Sequence, residues 1–142
     1  MNEEKIKQEL GEGAVFDIGK ENTAFAKYFQ GQSYLNMLTT EGVAIGNVTF
    51  EPGCRNNWHI HHAKKGGGQI LLVTAGHGYY QEWGKEARAL CAGDVVVIPA
   101  NVKHWHGAAS NCWFSHLAIE VPGEETENEW CEKVSEEEYK KL

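Results

Sequence analysis

Proline is scarce, at 3 in 142 residues, and positive charge is short, with 13 Lys and Arg against 20 Asp and Glu, for a net charge of -7. An acidic chain without a basic stripe is a poor ligand for nucleic acid or an anionic membrane, and neither partner is expected. No apolar run approaches the roughly 20 residues that span a bilayer. The opening MNEEKIKQEL is charged and lacks the apolar core of a signal peptide. The four cysteines, Cys54, Cys91, Cys112 and Cys131, form no CxxC pair. They read as reduced thiols, and a cytoplasmic protein is expected. Repeats, low-complexity stretches and linkers are also missing.

What remains is ordinary globular composition, 42% hydrophobic and 23% charged, with a high glycine count of 16. The length predicts one domain over 1–142, able to bury a core without staples. Met1 to Leu10 reads as a helix, with Asn2 as its cap and Ile6 and Leu10 on one face. Leu35 to Leu38 is an expected edge strand. From Gly42 the pattern is β: Val43–Phe50, His59–His61, Gln69–Thr74, Gly78–Trp83, Ala87–Leu90, Val95–Ile98 and Trp113–Glu120 are separated by turn signals, among them Ala75 to Gly78. Many short strands predict an all-β sandwich or barrel with its core at about 43–120. Gly123 to Glu129 reads as an acidic loop. Ser135, followed by Glu138, has the spacing of a capping box and starts a helix to Leu142.

Six of the seven histidines gather in two regions. Residues two apart on a strand share a face. His59 and His61 therefore face one way, His104 and His106 share a face with Trp105 opposite, and His116, Ala118 and Glu120 share a third. Buried polar side chains cost free energy unless paired. A metal ion is the simplest partner on which three such faces can converge.

The residues around these pairs carry a resemblance. Gly53, His59-Ile60-His61, Gln69 and Gly76 resemble the first motif of the cupin superfamily, and Gly93, Pro99-Ala100-Asn101 and His104 resemble the second. The resemblance implies a single-domain antiparallel jelly-roll barrel, a small-molecule ligand, and one divalent ion held by His59, His61, Gln69 and His104. Gln69 stands where cupins usually have Glu. Residues 62–68 make a longer spacer than usual, read as a flexible loop at the barrel mouth. Asn101 replaces the usual turn glycine and tolerates the same left-handed backbone. With its neutral amide, Gln69 leaves more uncompensated positive charge on the ion than Glu would. Such an oxygen and nitrogen donor set suits Mn(II), with Fe(II), Co(II), Ni(II) and Zn(II) as alternatives.

The runs Val48–Gly53, Gly68–Gly76, Lys103–Ala109 and Ser115–Ile119 are similar to a narrower group of small bacterial cupins that includes manganese-dependent hydroxynitrile lyases. That likeness brings His106, His116 and Glu120 into the same cavity as candidate catalytic groups, with Glu120 departing from a Gln in the group. His106 either moves protons or only supports a ligand. His116 orients substrate or relays the proton, and Glu120 is a base or the partner of His116. Trp105 is expected to pack against another element, one of Tyr79 and Tyr80 to face inward, and Ile70, Leu72, Leu117 and Ile119 to meet a second sheet or, since cupins are often dimers, a second chain. The implied activity is lyase-like Lewis-acid chemistry on a hydroxy or carbonyl compound. The alternatives are an Fe(II) dioxygenase and a non-catalytic metal or metabolite binder.

Overall fold

In the computed structural model, which describes residues 2–142, alternation of side chains places the central strand, Gln69–Glu82. Leu71 and Val73 point into the core beside Val96 and Ile98. Thr74 is then skipped in the ladder, since Ser115 pairs with Ala75 but His116 with Val73. One extra residue inverts the phase of a strand. Ala75 consequently faces outward under the N-terminal helix, Tyr79 faces out, and Tyr80 faces in, only 7% exposed.

The turn expected at Ala75–Gly78 does not form. Gly76, at φ 77°, bends the strand instead, and a Cβ there would lie 1.9 Å from the Trp113 carbonyl oxygen. Only glycine fits so close a left-handed approach. The first half of the bent strand pairs with Phe114–Glu120 and Val95–Ile98, the second with His104–Ala108 and Arg88–Cys91. All these pairings are antiparallel, and the sheet curls around a core that includes Phe50, Leu71, Tyr80, Leu90 and Phe114. The all-β architecture with short terminal helices is the expected one.

Other expectations shift. Ser33–Thr39 is longer than Leu35–Leu38 and lies between Ile45–Phe50 and the short Lys20–Glu21, so it is not the edge. The acidic stretch after Gly123 is not all loop: Gly123–Glu124 pairs with Lys65–Gly66, and Glu127–Trp130 pairs with His59–His62. Its side chains are too polar to announce a strand, and the ladder with its neighbour recruits it. Those contacts also pin the spacer at residues 62–68. Gly66, Gly67 and Gly68 all take positive φ, and a Cβ on Gly68 would meet the Ile98 oxygen at 2.4 Å.

Both termini cover the barrel. The Glu3–Leu10 helix is capped by Asn2, whose side chain accepts from Lys5 N at 2.9 Å, and it buries Ile6 and Leu10 against Ile18 and Trp113. Met1, where the expected helix began, lies outside the described residues. Ser135 caps the second helix by accepting from Glu138 N, but that helix ends at Tyr139, short of Leu142. Tyr139 packs with Trp105 and Trp58, which supplies the element expected against Trp105, and its hydroxyl donates to Ala108 O at 2.6 Å. On the other outer face, Ile70, Leu72, Leu117 and Ile119 are half-buried, with Val95 and Val97 exposed beside them. No helix is long and apolar enough to cross a membrane among the described residues.

Candidate metal centre

Strand pairing converges the histidines. His104 lies opposite His59 in the ladder, and their ring centroids are 4.2 Å apart. His61, two residues along the same face as His59, has its ring 5.2 Å from both. His106 pairs with Tyr80, and His116 lies between Val48 and Val73. Gln69 and Glu120 are direct cross-strand partners. All five histidines and Gln69 are buried, whereas Glu120 sits exposed at the mouth.

Hydrogen bonds sort these residues by role. His59 Nδ1 lies 2.8 Å from Asn57 O, His61 Nδ1 2.8 Å from Asn128 Oδ1, and His104 Nδ1 2.9 Å from Val102 O. An acceptor on one ring nitrogen fixes the proton there and leaves the other as a bare lone pair, the arrangement of metal-binding imidazoles. Nε2 of His61 and of His104 is buried without any partner among the described residues. Gln69 donates its Nε2 to Glu120 Oε1 at 2.9 Å, which holds the amide and leaves its carbonyl oxygen free to coordinate. Orphaned nitrogens beside a free amide oxygen fit a divalent cation, and an unfilled set of this kind would otherwise cost about 1–3 kcal/mol per group.

Distance alone groups His59, His104 and His106, whose candidate ligand atoms lie within 4.8 Å of one another. His106, however, is engaged elsewhere. Its Nδ1 is 3.2 Å from His116 Nε2, and Asn56 Nδ2 lies 3.4 and 3.3 Å from its two ring nitrogens. Asn56 Oδ1 also accepts from His106 N at 3.0 Å. These contacts tie the His106 ring to His116 and Asn56, unlike His61 and His104, whose Nε2 has no partner among the described residues. The His106–His116 pair is buried and packs against Phe50 at 5.9 and 5.4 Å between centroids. Burial drives the His106 ring well below its usual pKa, with the neighbouring His116, His59 and His104 adding repulsion, and it lowers His116 to about 4. His59 is likewise well below, and His104 is at about 4, burial being the leading cause for each. Neutral imidazoles are the metal-binding form.

Gln69, Glu120, His59, His61, His106 and His116 all border one cavity of about 220 Å³, as the parity of their strands predicts. His104 completes the cluster behind them. Glu120 bonds Gln69 and not His116. His62 points outward, 2.7 Å from Glu129. Sequence reasoning missed Asn56, Asn128 and Trp130. No motif marks Asn56. The last two arrive on the unannounced strand, and Trp130 stacks on His59 at 4.6 Å. Asn101 fulfils its expected part at φ 68° and ties the loop after His61 by two 3.0 Å hydrogen bonds to the backbone of Ala63.

Comparison with known proteins supplies relatives. The cupin domain model matches residues 46–115. An (R)-mandelonitrile lyase from Granulicella tundricola is 42% identical over 99 residues, which are 70% of this chain and 72% of the relative. The crystal structure of a cupin-like protein from Thermotoga maritima superposes with a TM-score of 0.77 at 41% identity, over 89% of this chain and 95% of that one. A DMSP lyase from Ruegeria pomeroyi shares the fold at a TM-score of 0.58 and 21% identity, over 81% of this chain and 57% of that one.

Proposed function

The chain belongs to the cupin family, and from that premise we propose that it is a metal-dependent lyase of small hydroxy or carbonyl compounds, acting on cyanohydrins in the manner of its mandelonitrile lyase relative. The observation that carries this reading is the trio His59, His61 and His104, each with Nδ1 anchored, with Nε2 of His61 and His104 buried and unpartnered among the described residues. With Gln69 they would hold one divalent ion, Mn(II) by preference. That ion supplies Lewis-acid polarisation of a hydroxyl or carbonyl oxygen.

The chain's own residues supply the rest. Glu120 keeps the Gln69 amide from rotating. The ring nitrogen of His106 that lies within 4.8 Å of the His59 and His104 ligand atoms receives the substrate hydroxyl proton. In a cyanohydrin, loss of that proton forms the carbonyl as the carbon–carbon bond breaks. The electron pair leaves on cyanide, and the proton held by His106 returns to give hydrogen cyanide and an aldehyde. His116 and Asn56 fix the orientation of His106. Phe29, Val48 and Trp130 line the cavity and exclude water from the reacting carbon.

The test is turnover of racemic mandelonitrile by protein stripped and reloaded with Mn(II), in air and under nitrogen. Equal release of benzaldehyde in both atmospheres, dependent on the added ion, is expected. A requirement for oxygen, or turnover indifferent to the ion, refutes the lyase reading.

A further inference from the structure

His59 is the hub of the histidine cluster. The rings of His61, His104 and His106 lie 5.2, 4.2 and 5.7 Å from its own, between centroids. The contact of its Nδ1 with Asn57 O fixes one edge of the ring. A single contact at one edge leaves the plane free to tilt, and a metal site needs its ligands held to within about 0.5 Å and 10–20°.

The face of the ring is covered by Trp130. The two residues are direct partners in the ladder, and their rings stack at 4.6 Å with planes 29° apart. Trp130 is itself stacked on Tyr28, at 4.5 Å and 3°. Tyr28 O accepts from Asn57 N at 2.8 Å, so the outer ring of the stack hangs on the residue that fixes His59 Nδ1. Neither His61 nor His104 has an indole or phenol stacked on it among the described residues. Tyr80, beside His104, is tilted by 47° at 5.8 Å.

An indole face is electron-rich and favours a ring that carries positive charge. A cation on Nε2 draws electrons from an imidazole, so the His59 ring sits better on that face when the site is loaded than when it is empty. Only such a difference between the two states adds to affinity.

We infer that Trp130, backed by Tyr28, is a positioning residue of the metal centre, which fixes the plane of His59 and thereby tightens the hold on the ion. The inference rests on the reading of His59 as a ligand, but the ring that Trp130 fixes is observable without any ion. The strand Glu127–Trp130 is then a working part of the centre and not a cover for it.

The experiment has two readouts. One is Zn(II) affinity, by competition with a chelating dye. The other is the tautomer of His59 in metal-free protein, by two-bond proton–nitrogen NMR correlation. The unmodified protein shows a single Nδ1–H tautomer. Trp130→Leu, apolar but without a ring, mixes the tautomers and weakens Zn(II) binding about tenfold. Trp130→Phe, which keeps a ring, recovers most of both. Tyr28→Leu gives a smaller loss in the same direction. Mixed tautomers in the unmodified protein overturn the inference without recourse to any variant. So does native affinity in Trp130→Leu, or a loss in Trp130→Phe as large as in Trp130→Leu. An unmodified protein that takes up no Zn(II) refutes the metal-centred reading, and the tautomers alone then decide whether Trp130 fixes the ring. Affinities that change as expected in a protein that leaves mandelonitrile intact uphold the role of Trp130 and count against the lyase reading, so the two fail separately.

Discussion

At the scale of single residues, anchoring separates ligands from their neighbours. His104 presents a bare Nε2 to the cluster, whereas His106 is tied to His116 and Asn56. His104→Ala therefore loses tight metal binding, and His106→Ala retains the ion while turnover falls about 10²–10⁴-fold. Metal content by mass spectrometry, set beside mandelonitrile cleavage, checks both. Equal loss of the ion in the two variants would make His106 a ligand. Glu120→Leu frees the Gln69 amide, and loss of such an outer partner is expected to weaken metal affinity about 10–100-fold, read by competition with a chelating dye. Sequence parity put His116, Ala118 and Glu120 on one cavity wall. It could not show that Glu120 pairs across the ladder with Gln69, because pairing depends on a register that local residues do not encode.

At the scale of elements, the bend in Gln69–Glu82 sets the geometry, since it lets one strand carry Gln69 to one sheet and Tyr80, opposite His106, to the other. Gly76→Ala forces a Cβ against the Trp113 carbonyl at positive φ. The variant should lose at least 1–3 kcal/mol, seen as a lowered melting temperature, with metal-dependent activity surviving only in the fraction that folds. An unchanged melting temperature would mean that the bend does not depend on glycine. Glycine here reads locally as a turn, and only its non-local partners, Trp113 and Phe114, convert the turn into a bend. The strand Glu127–Trp130 was illegible for a related reason. Its residues are polar and exposed apart from Trp130, and its order derives from the His59–His62 ladder. The capped terminal helices and the strand Val95–Ile98 could be read from the sequence, because caps and short runs of β-branched residues between turns are local signals.

At the scale of the whole molecule, burial of neutral imidazoles links stability to pH. His104 and His116 titrate near 4 in the folded state against about 6.5 unfolded, and burial holds His59 and His106 well below their usual value too. The unfolded chain binds more protons below 6.5. Metal-free protein should hold its full stability above that pH and lose it progressively as pH falls toward 4, by up to about 1.4 kcal/mol per group per unit. Urea midpoints that stay flat from pH 7 to 5 would contradict this. The outer face of Ile70, Leu72, Leu117 and Ile119, with Val97 67% exposed beside them, leaves an apolar surface of the kind that associates. The dimer implied by the cupin resemblance predicts a light-scattering mass of twice 15.9 kDa, reduced toward one chain by Val97→Glu.

The most direct measurement is a structure of metal-loaded protein, with the ion located by anomalous scattering. It should show one ion about 2.0–2.3 Å from Nε2 of His59, His61 and His104 and from Oε1 of Gln69, with His106 still bonded to His116. An ion seated on His59, His104 and His106, with His61 and Gln69 turned away, would contradict the assignment of ligands and the proton-carrying role of His106 together.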